Sequence, residues 1–192
     1  MKAEKSMSVL PISAYGDKIL RKKAVKVTAV NTDLIKLIKD MFDTMNKANG
    51  IGLAATQVGS DKSVFVIDIS AIEGHEESRP MAFINPKITY RSKELKVIEE
   101  GCLSIPGLRF EVERPESVKI TFQDVNMEVN TIEASDILAR VIQHEYDHLQ
   151  GVLFIDRLNE GERKELKKEL DMIKKRQIDV DYPITEKTKV SV

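Results

Sequence analysis

Two of the three histidines in this chain, His144 and His148, are four residues apart, and Glu145 directly follows the first. On an α-helix this spacing places both imidazoles on one face, one turn apart, where they can bind a single metal ion. The carboxylate of Glu145 lies beside that ion and can take a proton from a water molecule bound to it. The pattern therefore predicts metal-dependent hydrolysis, but it leaves the third ligand and the substrate open.

The residues around these histidines indicate a helix whose metal-binding face points into the protein. Apolar side chains at helical spacing form a stripe that the two histidines continue. The stripe consists of Ile137, Leu138, Val141, Ile142 and Leu149. Two buried imidazoles need polar partners, which favours a shared metal ion over a helix with two surface histidines. Ser135 and Asp136 are expected at the start of this helix, and Gly151 at its end.

The third ligand is not fixed by the histidine pattern. One large group of metalloproteases takes it from a later histidine, but Phe154 occupies that position here. Glu165 and Glu169 are alternatives, although they lie in a Lys- and Glu-rich helix that is typical of a solvated surface. His75 lies in a polar loop, where we expect it to have no functional role.

Cys102, the only cysteine in the chain, is the other candidate for the third ligand. A lone cysteine is most often a small apolar side chain, but this one is bracketed by a glycine, a serine and a proline, which indicates a shaped local backbone. A thiolate is a strong ligand, and with two imidazoles it leaves one tetrahedral position for water, as in catalytic sites. Spacing alone does not decide between Cys102 and the carboxylates.

Residues 50–59 form a third segment, rich in glycine and alanine, that follows a predicted helix. Such residues let another backbone approach closely, and the amide of Gln57 could donate to a developing oxyanion. A phosphate-binding loop is the competing interpretation. It is rejected because no Lys-Ser/Thr pair follows, and because the segment precedes a strand instead of opening a helix after one.

Together, these three segments resemble the peptide deformylase family. The family's Gly-x-Gly-x-Ala-Ala-x-Gln, Glu-Gly-Cys-Leu-Ser and Gln-His-Glu-x-Asp-His motifs are matched at residues 50–57, 100–104 and 143–148. The resemblance covers about residues 8–178, and the joint occurrence of three motifs is far more specific than any one of them. It implies a hydrolase that removes the N-formyl group from the N-terminal methionine of newly made polypeptides and releases formate.

The resemblance also implies how the metal is held and used. Cys102, His144 and His148 would be the ligands of one divalent ion, and Glu145 would be the general acid and base. The ion is expected to be iron(II), with zinc, nickel or cobalt able to occupy the same site. A Cys-His-His ligand set suits several such metals, so the sequence does not choose among them.

A substrate cleft is implied in the same way. The amide of Gln57 and the backbone N–H of Leu103 would bind the formyl oxygen. The residues implied to bind the substrate are Gly50, Ile51, Gly52, Ile98, Glu100, Gly101, Ile137 and Val141. The backbone of Gly52 would pair with the substrate's main chain, and Glu100 is expected to orient its loop by pairing with Arg114.

The elements that must position these residues indicate an α+β fold, with antiparallel or mixed β-sheets packed around the metal-binding helix and a further C-terminal helix. Thr32 is the predicted N-cap of an amphipathic helix that ends at Asn49-Gly50. Strands are predicted at residues 63–69, 82–85, 88–90, 95–98, 109–113, 117–122 and 128–132. Residues 161–177 are predicted to form one charged helix, and residues 179–192 a tail of unassigned structure.

Composition agrees with a single catalytic domain over residues 1–178. The 30 basic and 31 acidic residues give a net charge of −1, and no basic patch in the first 160 residues indicates sequence-specific nucleic-acid binding. One cysteine excludes an intramolecular disulfide framework. The first six residues lack the apolar core of an export signal, and no run approaches the ~18 apolar residues of a membrane span. A cytoplasmic location is therefore expected.

The charged C-terminal helix is the candidate contact with the ribosome. The resemblance implies docking there, near the emerging chain, whereas the simpler interpretation of its charges is a solvated face. The basic residues are Arg163, Lys164, Lys167, Lys168, Lys174, Lys175 and Arg176. Two other functions are kept as alternatives: a zinc endopeptidase with Glu165 or Glu169 as third ligand, and a structural metal site in which Glu145 has no role.

Overall fold

The computed structural model describes residues 8–187 of the 192-residue chain. The first six residues, on which the expectation about export rests, and the end of the tail from residue 188 lie outside the described residues. Within the described range, the strands are β1 (Gly52–Ala54), β2 (Val64–Ile67), β3 (Met81–Arg91), β4 (Leu95–Cys102), β5 (Ile105–Pro115), β6 (Ser117–Gln123) and β7 (Val129–Ser135). The α-helices are α1 (Thr32–Lys47), α2 (Asp136–Leu149), α3 (Glu160–Glu165) and α4 (Lys167–Lys174).

The strands form two sheets. Five of them pair in the order β1-β2-β3-β6-β7, and β4 pairs with β5. Every pairing between these strands is antiparallel. With α2 packed between the sheets and two short helices near the C-terminus, the predicted α+β class is confirmed. No helix in the described part of the chain is long and apolar enough to cross a membrane.

Three apolar clusters hold α2 and the loops around it in place. Ala139, Ile142 and Leu149 of α2 pack on the five-stranded sheet in a core that includes Phe65 and Ile120. A second cluster joins β5 to the C-terminal helices through Ile105, Val112, Leu153, Phe154, Leu166, Leu170 and Ile173. The third cluster packs α1 against β1 and β2, mainly through Leu34, Ile38, Met41, Met45, Leu53, Val64 and Val66. The histidine-bearing helix is therefore enclosed from several sides.

The helix boundaries differ from the prediction at two places. Asn31, and not Thr32, is the N-cap of α1, because its side chain accepts a hydrogen bond from the N–H of Leu34 at 2.9 Å. Both residue types are good caps, so the sequence did not separate them. The predicted charged helix is divided at Leu166, which is buried in the second cluster and whose N–H reaches the carbonyl of Glu162 only at 3.4 Å.

Several strands are longer than their local signals, whereas β2 is shorter than the strand predicted at residues 63–69. Residues 82–85 and 88–90, predicted as two strands, belong to β3, whose register with β6 shifts on either side of Lys87. Pro86 has no N–H to donate and Asn85 has a φ of +50°, so the irregularity lies where the backbone cannot pair regularly. Strand β4 continues past its predicted end at residue 98 and carries Cys102 to the site.

Candidate functional site

Three side chains with sulfur or nitrogen donors meet between α2 and the end of β4. The donor atoms of Cys102, His144 and His148 all lie within 4.8 Å of one another, and Sγ of Cys102 is 3.2 Å from Nε2 of His148. The two imidazole centroids are 5.0 Å apart, as expected for a one-turn separation. One thiolate and two imidazoles in this arrangement fit a tetrahedral metal ion with one position open for water or substrate.

The alternative ligands of the sequence analysis lie elsewhere. Glu165 and Glu169 are exposed on α3 and α4, and His75 lies in the loop between β2 and β3. Among residues 8–187, the group formed by Cys102 and the two α2 histidines is the one cluster of three such donors. The geometry therefore favours the thiolate over a carboxylate as third ligand.

The electrostatics of the cluster favours positive charge within it. Burial opposes protonation of His144, but its hydrogen bonds with Cys102 and Glu100 outweigh this effect and raise its pKa well above the ordinary value. Burial and the neighbouring His144 lower the pKa of His148 well below the ordinary value. The surrounding thiol and carboxylate thus stabilise a cation here, and a divalent metal ion would supply that charge in place of the proton.

Glu145 lies beside the cluster as a buried carboxyl group with one unpaired oxygen. Its Oε2 atom has no hydrogen-bond partner among the described residues, and burial raises the pKa of Glu145 to about 7. Its Oε1 atom lies against the Cα of Gly52, where a Cβ would clash with it and would also lie 2.8 Å from Val141. The second glycine of the 50–57 segment therefore makes room for this carboxyl group.

A second buried carboxylate, Glu100, orients the first histidine. Its Oε2 is 2.9 Å from Nδ1 of His144, so a protonated Nδ1 donates to it and leaves Nε2 for a metal ion. Arg114 donates to both oxygens of Glu100, at 2.5 and 2.8 Å, which is the pairing expected from the sequence. Burial opposes the charged form, but hydrogen bonds from Arg114 and His144 hold the pKa of Glu100 well below its ordinary value.

The Glu100–Arg114 pair belongs to a larger buried network. Arg114 also donates to Asp147 of α2 at 2.6 Å, and Arg157 donates to both oxygens of Asp147 at 2.6 and 2.7 Å. Arg140 of α2 donates to Glu100 at 2.7 Å. Strands β4 and β5 are thus tied to α2 by charged hydrogen bonds directly behind the histidines.

The amide of Gln57 faces the same cluster. Its Oε1 accepts from the N–H of Ala54 at 2.8 Å, which turns Nε2 toward the turn that follows β4. There Nε2 donates to Oγ of Ser104 at 3.2 Å and lies 3.6 Å from Sγ of Cys102. Leu103, between these two residues, lines the same cleft.

The cleft in front of the cluster has a volume of about 510 Å³. Its walls include the predicted residues Gly50, Ile51, Gly52, Gln57, Glu100, Gly101, Cys102, Leu103, Ile137, Val141, His144 and Glu145. Ile98 of β4 was also expected to bind substrate. It pairs with Val112 of β5 and does not line this cleft. His148 is buried behind the wall.

Arg140 and Tyr182 are among the cleft-lining residues that sequence reasoning missed. Arg140 had a usable signal, because an arginine between Ile137 and Val141 falls on the buried stripe of α2 and needs a charged partner there. Tyr182 had none, since it lies in the tail that no local pattern assigned.

Comparison with known proteins identifies similar chains along almost the whole length. The polypeptide deformylase family model matches residues 9–164. The peptide deformylases of Chlorobaculum parvum and Chlorobium phaeovibrioides are 44% and 46% identical to the chain over 176 and 177 residues, which cover 92% of this chain and 94% and 92% of those proteins.

Solved structures give the same result. A Synechococcus elongatus peptide deformylase in complex with actinonin superposes with a TM-score of 0.77 at 42% identity and 90% coverage of each chain. A plant peptide deformylase superposes with a TM-score of 0.82 at 39% identity, covering 97% of this chain and all of that one. The fold of this chain therefore matches that of solved peptide deformylases.

We predict that Glu100→Gln weakens both metal binding and folding. The change removes the negative charge that orients His144 and that pairs with both Arg114 and Arg140, so that Arg114 keeps only Asp147 as a counter-ion. Loss of such an outer partner typically lowers metal affinity about 10–100-fold, and breaking a buried ion pair costs about 3–5 kcal/mol of unfolding free energy. Chelator competition and urea unfolding measure the two effects.

The neighbouring Glu99 provides a matched control. It lies on the same strand, its side chain is 60% exposed, and its contact with Arg109 at 3.6 Å is a surface ion pair. Glu99→Gln should leave metal affinity and the free energy of unfolding close to native. Native metal affinity in Glu100→Gln would contradict the orienting role of Glu100.

Proposed function

The chain belongs to the polypeptide deformylase family, and from this premise we propose which of its residues carry the reaction. The protein is a metal-dependent hydrolase that removes the formyl group from the N-terminus of nascent peptides. The observation that carries the assignment of roles is a buried carboxyl group with one unpaired oxygen beside a cluster of one cysteine and two histidines, at a cleft that Cys102, His144 and Glu145 line. The direct test is release of formate from a formyl-methionyl peptide.

The first part of the proposal concerns the metal. Cys102, His144 and His148 hold one divalent ion, which we propose to be iron(II); zinc, nickel and cobalt suit the same donors. Their mutual distances and the negative charge around them support this ligand set. When bound, the ion would polarise the formyl group and make a water molecule easier to deprotonate.

Glu145 is the proposed proton carrier. A pKa of about 7 lets its carboxyl group both accept and return a proton near neutral pH, and a neighbouring divalent cation would favour its charged form. Glu145 takes a proton from the attacking water and returns it to the methionine nitrogen. The water oxygen bonds to the formyl carbon, and the C–N bond of the formamide then breaks. The products are formate and a peptide with a free N-terminal amine.

Negative charge develops on the formyl oxygen as water attacks the formyl carbon. We assign its stabilisation to the Nε2 amide of Gln57, which is already turned toward the cluster, and to the backbone N–H of Leu103. The substrate's main chain would pair with β1, whose outer edge at Gly52 is free of strand neighbours within the described sheet. Ile137 and Val141 of α2 supply an apolar wall for the methionine side chain.

The cellular setting follows from the substrate. Formyl-methionyl chains arise where translation begins, so we propose a cytoplasmic location for the enzyme. We also propose one catalytic domain over residues 1–178, with the following segment packed on it. Contact with the ribosome is the further part of the proposal, and exposed lysines on α4 support it.

The ligand assignment predicts that Cys102→Ala loses most of its bound metal, because two imidazoles alone hold a divalent ion weakly. Glu165→Ala and Glu169→Ala should keep stoichiometric metal, because both side chains are exposed away from the cluster. Metal content of the purified proteins, measured by mass spectrometry, checks both statements. Full metal content in Cys102→Ala, with loss in either glutamate variant, would favour the endopeptidase alternative.

The role of Glu145 predicts a separation of binding from chemistry. Glu145→Gln keeps the size of the side chain but cannot carry the proton, so formate release should fall about 10²–10⁴-fold at unchanged metal content. Glu133→Gln, at an exposed position on β7, is the control and should retain native turnover. Near-native turnover of Glu145→Gln in its metal-loaded form would refute the mechanism.

The ribosome contact is testable through charge. Lys167 and Lys168 are exposed on α4, whereas Arg176 is half-buried and used inside the fold. Lys167→Glu combined with Lys168→Glu should weaken co-sedimentation with ribosomes, and native binding should fall steeply with salt. Turnover of a short formylated peptide should not change.

A double variant with the same change in net charge is the control for that test. Lys87→Glu on β3 with Lys93→Glu in the turn between β3 and β4 alters exposed positions and should leave co-sedimentation as in the native protein. Equal loss of ribosome binding in both double variants would show that total charge, and not α4, is responsible. No loss in either would remove the proposed contact.

A further inference from the structure

The chain after α4 turns back toward the catalytic cleft. The N–H of Ile12 donates to the carbonyl of Pro183 at 2.8 Å, and the N–H of Thr185 donates to the carbonyl of Ile12 at 2.9 Å. Ile184 and Ile12 thereby form a parallel bridge. Residues 178–185, called the strap from here on, lie beyond the part of the chain that the family model matches.

Charged and polar contacts fix the path of the strap. Arg176, which follows α4 with a φ of +61°, donates from Nε to the carbonyl of Thr185 at 2.8 Å and from Nη2 to Asp17 at 2.5 Å. The hydroxyl of Thr185 donates to the other oxygen of Asp17 at 2.5 Å. These bonds join the end of α4, the strap and the N-terminal segment in one half-buried cluster.

The N-terminal segment beside the strap contacts residues 50–59 and the turn that follows β4, which carry the proposed oxyanion donors. The N–H of Ser13 donates to the carbonyl of Gln57 at 2.7 Å, and the N–H of Tyr15 donates to the carbonyl of Ser104 at 2.8 Å. The strap therefore lies one layer behind the two segments that carry the proposed oxyanion donors.

One strap residue, Tyr182, directly contacts the turn between β4 and β5, called the catalytic turn from here on. The hydroxyl of Tyr182 donates to the carbonyl of Leu103 at 2.9 Å, and its half-buried ring forms part of the cleft wall. Burial raises the pKa of Tyr182, so its hydroxyl keeps the proton that it donates. The two residues are 79 positions apart in the sequence.

We propose that Tyr182 is a positioning residue for deformylation, because its hydroxyl holds the carbonyl of Leu103 and thereby restrains, through the Cα of that residue, the direction of the Leu103 N–H toward the formyl oxygen. The inference rests on the role proposed above for that N–H. Ser104 is held independently, by Tyr15 and Gln57, and Cys102 is held by its place in β4. Leu103, the residue between them, is held by the hydrogen bond from Tyr182 to its carbonyl.

The test compares Tyr182→Phe with the native enzyme, both loaded with the same metal. Phenylalanine keeps the ring in the cleft wall and removes only the donated hydrogen bond. We expect kcat for a formyl-methionyl tripeptide to fall about three- to tenfold, as for one lost hydrogen bond that acts in the transition state. KM, metal content and melting temperature should stay near native, because an interaction that acts only in the transition state lowers kcat without changing KM.

Two further variants sharpen the result. Tyr90→Phe removes a hydroxyl from an exposed tyrosine on β3 and should have native kcat. Tyr182→Leu also removes the ring, so it should show the same loss of kcat and, in addition, a raised KM, because the cleft wall is altered.

The outcomes separate a positioning role from a purely structural one. Native kcat in Tyr182→Phe would overturn the proposal, and so would a loss of activity that disappears once rates are expressed per folded, metal-loaded molecule. Neither result would touch the proposed function, which depends on formate release by the native enzyme. Failure of the native enzyme to release formate would refute the proposed function instead.

Discussion

An ionised carboxylate buried behind the metal ligands is the interaction on which the rest of the site depends. Glu100 is 4% exposed, and removing such a charge from water costs several kcal/mol unless partners compensate. Arg114 of β5 and Arg140 and His144 of α2 supply that compensation. The requirement to satisfy one charge therefore fixes β4, β5 and α2 relative to one another, and the cluster of ligands forms at the place where they join.

Close packing around this junction explains the small residues of the motif segments. A Cβ at Gly52 would overlap the carboxyl group of Glu145, and one at Gly50 would lie 2.8 Å from the side chain of Leu103. Gly151, directly after α2, has a φ of +73° and lies where a Cβ would be 2.7 Å from the carbonyl of Arg21. These glycines leave space that the proton carrier, the catalytic turn and the end of the metal-binding helix need.

Much of the site could be predicted from the chemistry of its residues, whereas the features that long-range contacts determine could not be predicted. The four-residue histidine spacing follows from what a metal ion requires, whereas the choice of Cys102 as third ligand and the Glu100–Arg114 pair came from the resemblance to the family. The division at Leu166 and the continuation of β4 depend on tertiary packing, which local patterns do not contain. Ile98 was assigned by likeness to the family, and it is not among the residues that line the cleft. Tyr182 was beyond prediction, because no periodicity connects the tail with Leu103.

Glu100 and Glu145 are both buried, but they have different roles in this site because their hydrogen-bond partners differ. Glu100 accepts from two arginines and a histidine, which keeps it charged and stationary. Glu145 has an oxygen without a hydrogen-bond partner among the described residues, and its pKa is raised to about 7. A carboxylate that is fully hydrogen-bonded cannot exchange a proton without breaking those bonds, whereas an unpaired one can. The network around Glu100 thus leaves Glu145 as the carboxyl group that is available for proton transfer.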